Sequence, residues 1–561
     1  MVTNKKSRVR RVKCDEAKPE CKRCVMFGAK CDGYGHNMSP DQLSQARSLL
    51  PRFAQEPLSL KSITPGSLFQ TEREHLYFCT FRDEIVSEFC GSLEISLWKN
   101  IMLQTCHDKP FVKDGIVAIS ALSIAKKLEQ LSSPGLVAQH TEFALRHYQQ
   151  SLQNMRISLH KEIDSPRNSL IACLVVCSFE SLSENYFNTL SHARCGHQML
   201  MNWLEQYPES PERADGIVSP DPCIVEDVLL HSFRRLDRQL VAFVDLRGRE
   251  VHLALQDKYT GTINRMPSTF SDIDEARWYL ELIQTRSAHF QYSNSGVYCQ
   301  QQEDKVQAVN KWCESQSVAV SNMFLSLAPC FDQRPSENPN ILTQYNSRIG
   351  ELLDWGLAFE PLYKDLHRSN FFQQEPQQPS KTRLDLNAQY LLIQWHTSKI
   401  YLSSTLCNAT AIDEHLPTFQ AIIDMIRPFL DHFHTQVGTH SHFSFEHGII
   451  PCLHMVGKHC RDRRLRREAI ALLRSLACCE GIWDSLILAD LLERLMELEE
   501  EGVETDYIPE HARIRILDIS INPHDHVASI LCIRGVEQKF IYFSRSSGND
   551  RRGVETYRPN N

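Results

Sequence analysis

The sequence predicts a mainly α-helical protein: a small cysteine-rich module, a linker, and a large helical array ending in a small antiparallel β element. Three observations predict it. Four cysteines and a run of basic residues crowd the first 31 positions, apolar segments at helical spacing follow one another from about residue 71 to 500, and short Ile/Val-rich runs separated by turn residues occupy 512–544. With 561 residues, 42% hydrophobic and 23% charged, the chain has an ordinary globular composition and is long enough for a sizeable core beside the small module.

The N-terminal stretch reads CDEAKPECKRCVMFGAKC, with Cys14, Cys21, Cys24 and Cys31 spaced C-x6-C-x2-C-x6-C. A C-x2-C turn brings two sulfurs onto one tetrahedral ion while longer arms supply the others, so these thiolates can close on Zn2+. Arg8, Arg10, Arg11 and Lys13 stand just upstream, and Lys22 and Lys30 lie between the cysteines. Residues 1–31 carry a net charge of +7 and the remainder −15, which directs any polyanion to the N-terminus.

Here the sequence resembles the fungal zinc binuclear cluster transcription factors, whose pattern is close to C-x2-C-R-x-R-[RK]-x-K-C-D-x3-P-x-C-x2-C-x6-C. Arg8, Arg10, Arg11, Lys13, Cys14, Asp15, Pro19, Cys21, Cys24 and Cys31 all fall in register. The pattern breaks at its start, where Asn4 and Ser7 occupy the places of the first two cysteines. In the family six thiolates hold two zincs, and here one bridging ligand is gone. The break reads in two ways: a missing exon between MVTNKK and SRVRRVKCDE, or a cluster reduced to one zinc or none. The resemblance implies a nuclear, zinc-dependent regulator of RNA polymerase II genes that binds double-stranded DNA at CGG-type sites. On that reading Arg10 and Arg11 read bases, while Arg8, Lys13, Lys22 and Lys30 hold phosphates. Its partners would be transcription machinery or coregulators. The alternative is a degenerate member that no longer binds DNA and works through interaction or ligand sensing.

The cluster module is expected over 1–36 and a linker over 37–70, rich in Pro and Ser, with one short helix possible at Asp41–Leu50. No sustained heptads follow, so any homodimer must form without a recognisable coiled coil. Helices are then expected at Glu72–Cys90, Ile116–Leu131, Leu136–Leu159, Ser169–Leu182, Thr189–Glu205, Ile224–Val244, Asp274–Gln291, Asp304–Leu327, Leu384–Ser404, Pro417–His434, Phe443–His459, Arg463–Cys478 and Leu486–Glu500. Ser169–Leu182, apolar on nearly every side, reads as a central buried helix. Packed as long antiparallel pairs in a curved array, these make a helical domain over 71–545. Ala512–Ile519, Val527–Ile533 and Lys539–Ser544 read as strands, and 546–561 as a disordered tail.

This larger region also resembles the helical regulatory domain that accompanies the cluster in the same family. The resemblance rests on WKNIMLQTCHDKPFVKDGIVAISAL, LRHYQQSLQNMR, LIACLVVCSFESL and CRDRRLRREAIALLRSLACCEGIWDS followed by IPEHARIRI. It implies a regulatory or ligand-sensing role and supplies no catalytic residues. The sequence contains no G-x-S-x-G, H-E-x-x-H, P-loop or G-x-G-x-x-G signature, so no enzyme is expected. The sixteen further cysteines are expected as buried free thiols, and with no apolar run of membrane length the chain is expected to be intracellular, away from membranes. His432 to His459 is a histidine-rich stretch read mainly as helix-end and surface residues, and Glu497–Glu501 as a solvated helix end.

Overall fold

The computed structural model describes residues 68–556 apart from 90–96, 130–133, 162–164, 211–212, 244–246, 295–322, 325–338, 372–378, 405–411, 438–442, 446–447, 482, 523–526, 535–536 and 547–548. The chain divides after Ser67, and every described residue belongs to the unit 68–561. The cysteine module, the linker as far as Ser67 and the short helix expected in it lie outside the described residues, while the last expected linker residues, Leu68–Gln70, belong to the helical unit.

Helix α1 (Glu72–Thr80) runs through a π-helical turn, Phe81–Ile85, into α2 (Val86–Phe89). Its start is set by Thr71, whose Oγ1 accepts from the Glu74 backbone N–H at 3.1 Å. A second π turn, Leu97–Met102, leads to α3 (Leu103–Asp108) and then α4 (Pro110–Glu129). Almost every side chain of α4 from Phe111 to Ala125 is buried, because α1, α5 (Pro134–Lys161) and α6 (Pro166–Leu182) pack around it. The central position expected for 169–182 is thus shared: α6 is buried as well, with Ser165 capping it and Pro166 opening it.

The next layer is α7 (Tyr186–Leu204), α8 (Asp227–Phe243), α9 (Arg249–Gln256), α10 (Thr260–Asn264) and α11 (Ile273–Asn294). Then come strand β1 (Met323–Phe324), α12 (Pro339–Phe371), α13 (Pro379–Ser403) and α14 (Leu416–Val437). Of the helix expected at Asp304–Leu327, the only described residues are the two of β1, and they are extended; the remainder lies outside the described residues.

The helix expected at Phe443–His459 is shorter. Phe443–Ser444 form β2, and α15 runs Ile450–His459. Its start has a clear cause: the Glu480 carboxylate accepts from the backbone N–H groups of Gly448 (2.9 Å), Ile449 (3.0 Å) and Ile450 (2.9 Å). A side chain at Gly448 would put its Cβ 2.0 Å from Glu480 Oε1, so only glycine permits this approach. Glu480 arrives from a small sheet in which β2 pairs parallel with β3 (Cys479–Glu480) and β3 antiparallel with β4 (Trp483–Asp484).

Helices α16 (Arg463–Leu476) and α17 (Ser485–Glu500) form the last pair, each opened by an aspartate cap, Asp462 and Asp484. The end of α17 is solvated only in part, at Glu497 and Glu501. Glu499 is buried against Arg466 and accepts from the Ile514 N–H at 2.7 Å, while Glu500 meets Arg467. The chain closes in an antiparallel sheet of order β1-β5-β6-β7-β8, with β5 at Ile514–Asn522, β6 at Val527–Arg534, β7 at Glu537–Ser546 and β8 at Asn549–Thr556. The three expected strands are present but longer, and much of the expected tail is β8, registered on β7 from Ser546↔Asn549 to Lys539↔Thr556.

Ten of the described cysteines are free thiols; Cys106, Cys177, Cys452 and Cys460 are buried, whereas Cys195 and Cys223 are exposed. Among the described residues no helix is long and apolar enough to cross a membrane.

Candidate functional site

The chemistry-bearing residues fall in two places. Arg8, Arg10, Arg11, Lys13, Cys14, Cys21, Lys22, Cys24, Lys30 and Cys31 all lie outside the described residues. Their donor set is still defined by the sequence: four thiols, the full complement of one tetrahedral zinc and two fewer than a six-thiolate pair of zincs takes. Among the described residues no group of three or more His, Cys, Asp or Glu is placed to hold a metal. From the histidine-rich stretch, His454 and His459 are buried on α15 rather than on the surface.

The second place lies inside the helical domain, where α8 is covered on every side. Leu229, Phe233, Leu236 and Leu240 form its apolar face, yet Arg234, Arg235 and Asp237 on its other side are buried too. Burying charge is costly unless it is paired. Most of this charge is paired by α11, which crosses α8: Arg235 lies 3.5 Å from Glu281, and Asp237 Oδ2 lies 3.0 Å from His289 Nε2. Asp237 Oδ1 is 2.7 Å from Arg247 and 3.5 Å from His197 Nε2. Burial alone would raise the Asp237 carboxyl, but Arg247, His197 and His289 together hold it well below the usual carboxylate range. His289 Nδ1 in turn stands 3.0 Å from His252 Nδ1, extending the polar chain to α9.

A cavity of about 50 Å³ adjoins this network. Leu200, Met201 and Leu204 from α7, Leu230 from α8, Leu255 from α9 and Leu282 from α11 give it apolar walls. Its polar wall carries Arg234, Lys258 and Arg286, with Asp237 the acidic residue among those lining it. Arg286 is spoken for: its Nη1 lies 3.0 Å from Glu351, its Nη2 donates to Thr260 Oγ1 at 2.8 Å and its Nε to the Gln256 carbonyl at 3.2 Å. Arg234, 8% exposed, has no carboxylate within 4 Å among the described residues; its nearest polar partner is His231 Nδ1 at 3.5 Å. Burial pulls the Arg234 guanidinium down to about 10, with Glu281 acting against that from beyond ion-pair distance. None of these residues stands out in the sequence, because they come from four helices and the turns flanking α9 between positions 197 and 289; the available signal was the density of charge in HSFRRLDRQ within an otherwise apolar helix.

Comparison with known proteins bears on both places. Residues 7–38 match the fungal Zn(2)-Cys(6) binuclear cluster domain. The chain is similar to the aspercryptin biosynthesis cluster-specific transcription regulator of Emericella nidulans, 23% identical over 91% of this chain and 89% of that protein. It is also similar to a transcription regulator of Purpureocillium lilacinum, 26% identical over 33% of this chain and 45% of that one. No solved structure matches. At 91% of this chain the first similarity extends well into the helical domain, and the family match is confined to residues 7–38.

Proposed function

We propose that the chain is a zinc-dependent, sequence-specific DNA-binding regulator of RNA polymerase II genes in the nucleus, acting at CGG-type sites. The observation that carries this reading is the register of Cys14, Cys21, Cys24 and Cys31 with Arg8, Arg10, Arg11 and Lys13, inside a segment matched as a whole to the cluster domain. So short a module cannot build a hydrophobic core, and structural zinc supplies the missing folding energy, on the order of 10 kcal/mol for comparable small sites. Fixed in this way, a short basic helix can enter the major groove, where Arg10 and Arg11 are suited to guanine O6 and N7. Arg8, Lys13, Lys22 and Lys30 meet phosphates, and the acidic remainder of the chain stays off the DNA. The helical domain, 68 to at least 556, serves as the regulatory part, contacting coregulators and, where the chain dimerises, a second copy.

Asn4 and Ser7 favour a second reading, in which a cluster two thiolates short has lost DNA recognition and the protein acts through the helical domain alone. With metal at one end only, the segment Arg8 to Lys13 must be ordered on binding, at about 1 kcal/mol or more for each backbone unit fixed. Phosphate contacts tolerate that loss of geometry better than base contacts do. Gel shifts at physiological salt, comparing CGG-containing with scrambled duplex, separate the readings. On the first, the chain prefers CGG weakly, its affinity falls steeply with salt, and Asn4→Cys with Ser7→Cys sharpens the preference. Equal affinity for both duplexes, unchanged by the added cysteines, leaves only the second.

A further inference from the structure

The geometry points to a binding site for a small organic carboxylate in the cavity between α7, α8, α9 and α11, its anionic head on Arg234 and Lys258 and its short apolar body against the leucines. Nothing in this inference depends on whether the cluster segment binds DNA.

Three features converge on an anion. Arg234 is buried and lines the cavity, with no carboxylate within 4 Å among the described residues. Lys258, half-buried in the turn between α9 and α10, lines the same space. It lies over the Tyr259 ring at 5.3 Å, and Glu205 and Glu209 act on it only from beyond ion-pair distance. The acid in the wall, Asp237, does not oppose an incoming anion, since Arg247, His197 and His289 surround its carboxylate. Two cations thus line a partly open cavity whose acidic neighbour is paired with Arg247. Arg286 adds its field while remaining tied to Glu351.

The rest of the wall selects the body of the ligand. Leu200, Leu204, Leu230 and Leu282 offer an apolar surface that a bare inorganic ion leaves unused and poorly solvated. Size sets the upper limit: one water needs about 10–15 Å³ of such space, so about 50 Å³ admits a handful of non-hydrogen atoms. A short-chain monocarboxylate meets all three requirements of charge, apolar body and size. Tyr259, beside Lys258, holds a left-handed backbone at φ 63°, an arrangement that a non-glycine residue adopts only where the surrounding structure imposes it, and such residues gather at ligand clamps.

The test uses the full chain, with butyrate as probe, butyramide as its neutral counterpart and inorganic phosphate as the anion without an apolar body. Butyrate is expected to raise the thermal midpoint and to give a saturable calorimetric signal, with butyramide and phosphate each binding at least about tenfold more weakly. Lys258→Gln, in a half-buried turn, should weaken butyrate at least about tenfold while leaving the unliganded midpoint unchanged. Arg234→Gln should weaken it further, and Leu204→Phe should reduce binding by filling the space. Equal binding of butyrate and butyramide, tighter binding of phosphate, no binding of butyrate at all, or butyrate binding unaltered by both Lys258→Gln and Arg234→Gln would each overturn the proposal.

Discussion

Arginine is buried in two regions of this helical domain, and the two treat it differently. Between α16 and α17, Arg466 is enclosed with Glu499, which also takes Arg513 at 3.3 Å and the Ile514 N–H, while the Arg466 Nε donates to the Gly457 carbonyl at 3.1 Å. Arg466 and Arg513 both reach Glu499, and the cluster pins α15, α16, α17 and the start of β5 together. Between α8 and α11 the charges are as deeply placed, but Arg234 ends at a cavity rather than at a carboxylate. A closed pair resists rearrangement, because removing one partner strands the other. An open cation strands no partner when it is removed, which makes the first region scaffold and the second the candidate ligand site.

The largest expected effect comes from breaking the closed pair. Glu499→Gln leaves Arg466 charged and enclosed, and urea unfolding should show a loss of about 3–5 kcal/mol. A loss below about 1 kcal/mol would mean that the pair is not sealed from water and that the contrast between the regions is false.

Acid should come next. Burial holds His454 down to about 3 and His231 and His459 well below the usual 6.5, so folded chains keep them neutral where unfolded chains take up protons. The unfolded state then binds more protons, and stability from these groups, full above pH 6.5, falls as pH drops toward 3. Glu480 acts in the opposite sense: burial raises it to about 7 despite the three N–H groups facing it, so its contribution falls as pH rises from 4.5 to 7. Three histidines outweigh one glutamate, and the thermal midpoint should decline steadily between pH 6.5 and 4. A flat profile would show that these histidines are not held neutral.

The smallest effect belongs to Arg234→Met, which strands no carboxylate within 4 Å among the described residues and should change stability by under about 1 kcal/mol in the same urea titration. A cost matching Glu499→Gln would make Arg234 scaffold as well.

How much of this was legible in the sequence depended on whether a signal was local. Helices such as α5, α6 and α16 announced themselves through unbroken apolar spacing and caps. Helix α12 did not, although it spans 33 residues, because Gly350, Gly356 and Pro361 read as breakers. Gly356 is there for packing: a Cβ would stand 2.6 Å from the Trp395 ring of α13. Strand β8 was hidden for a different reason, since NDRRGVET lacks the apolar alternation of a half-buried strand and is defined by its pairing with β7. The cysteine module was plain because metal spacing is written within 18 residues. The cavity was not, because its arginine, histidines and aspartate meet only when α7, α8, α9 and α11 pack.

The central claim, that four cysteines hold zinc and that zinc positions the basic segment on DNA, is tested most directly by metal content and DNA binding measured together on the full chain and on Cys21→Ser. By the resemblance to the family pattern, Cys21 stands at a shared-ligand position of the two-metal arrangement, and it belongs equally to any one-zinc site built from the four. The account predicts zinc bound to the unaltered chain, lost in Cys21→Ser, with preference for CGG-containing over scrambled duplex lost alongside it and salt-sensitive nonspecific binding retained. Unchanged zinc content in Cys21→Ser, or undiminished CGG preference once zinc is gone, would contradict it.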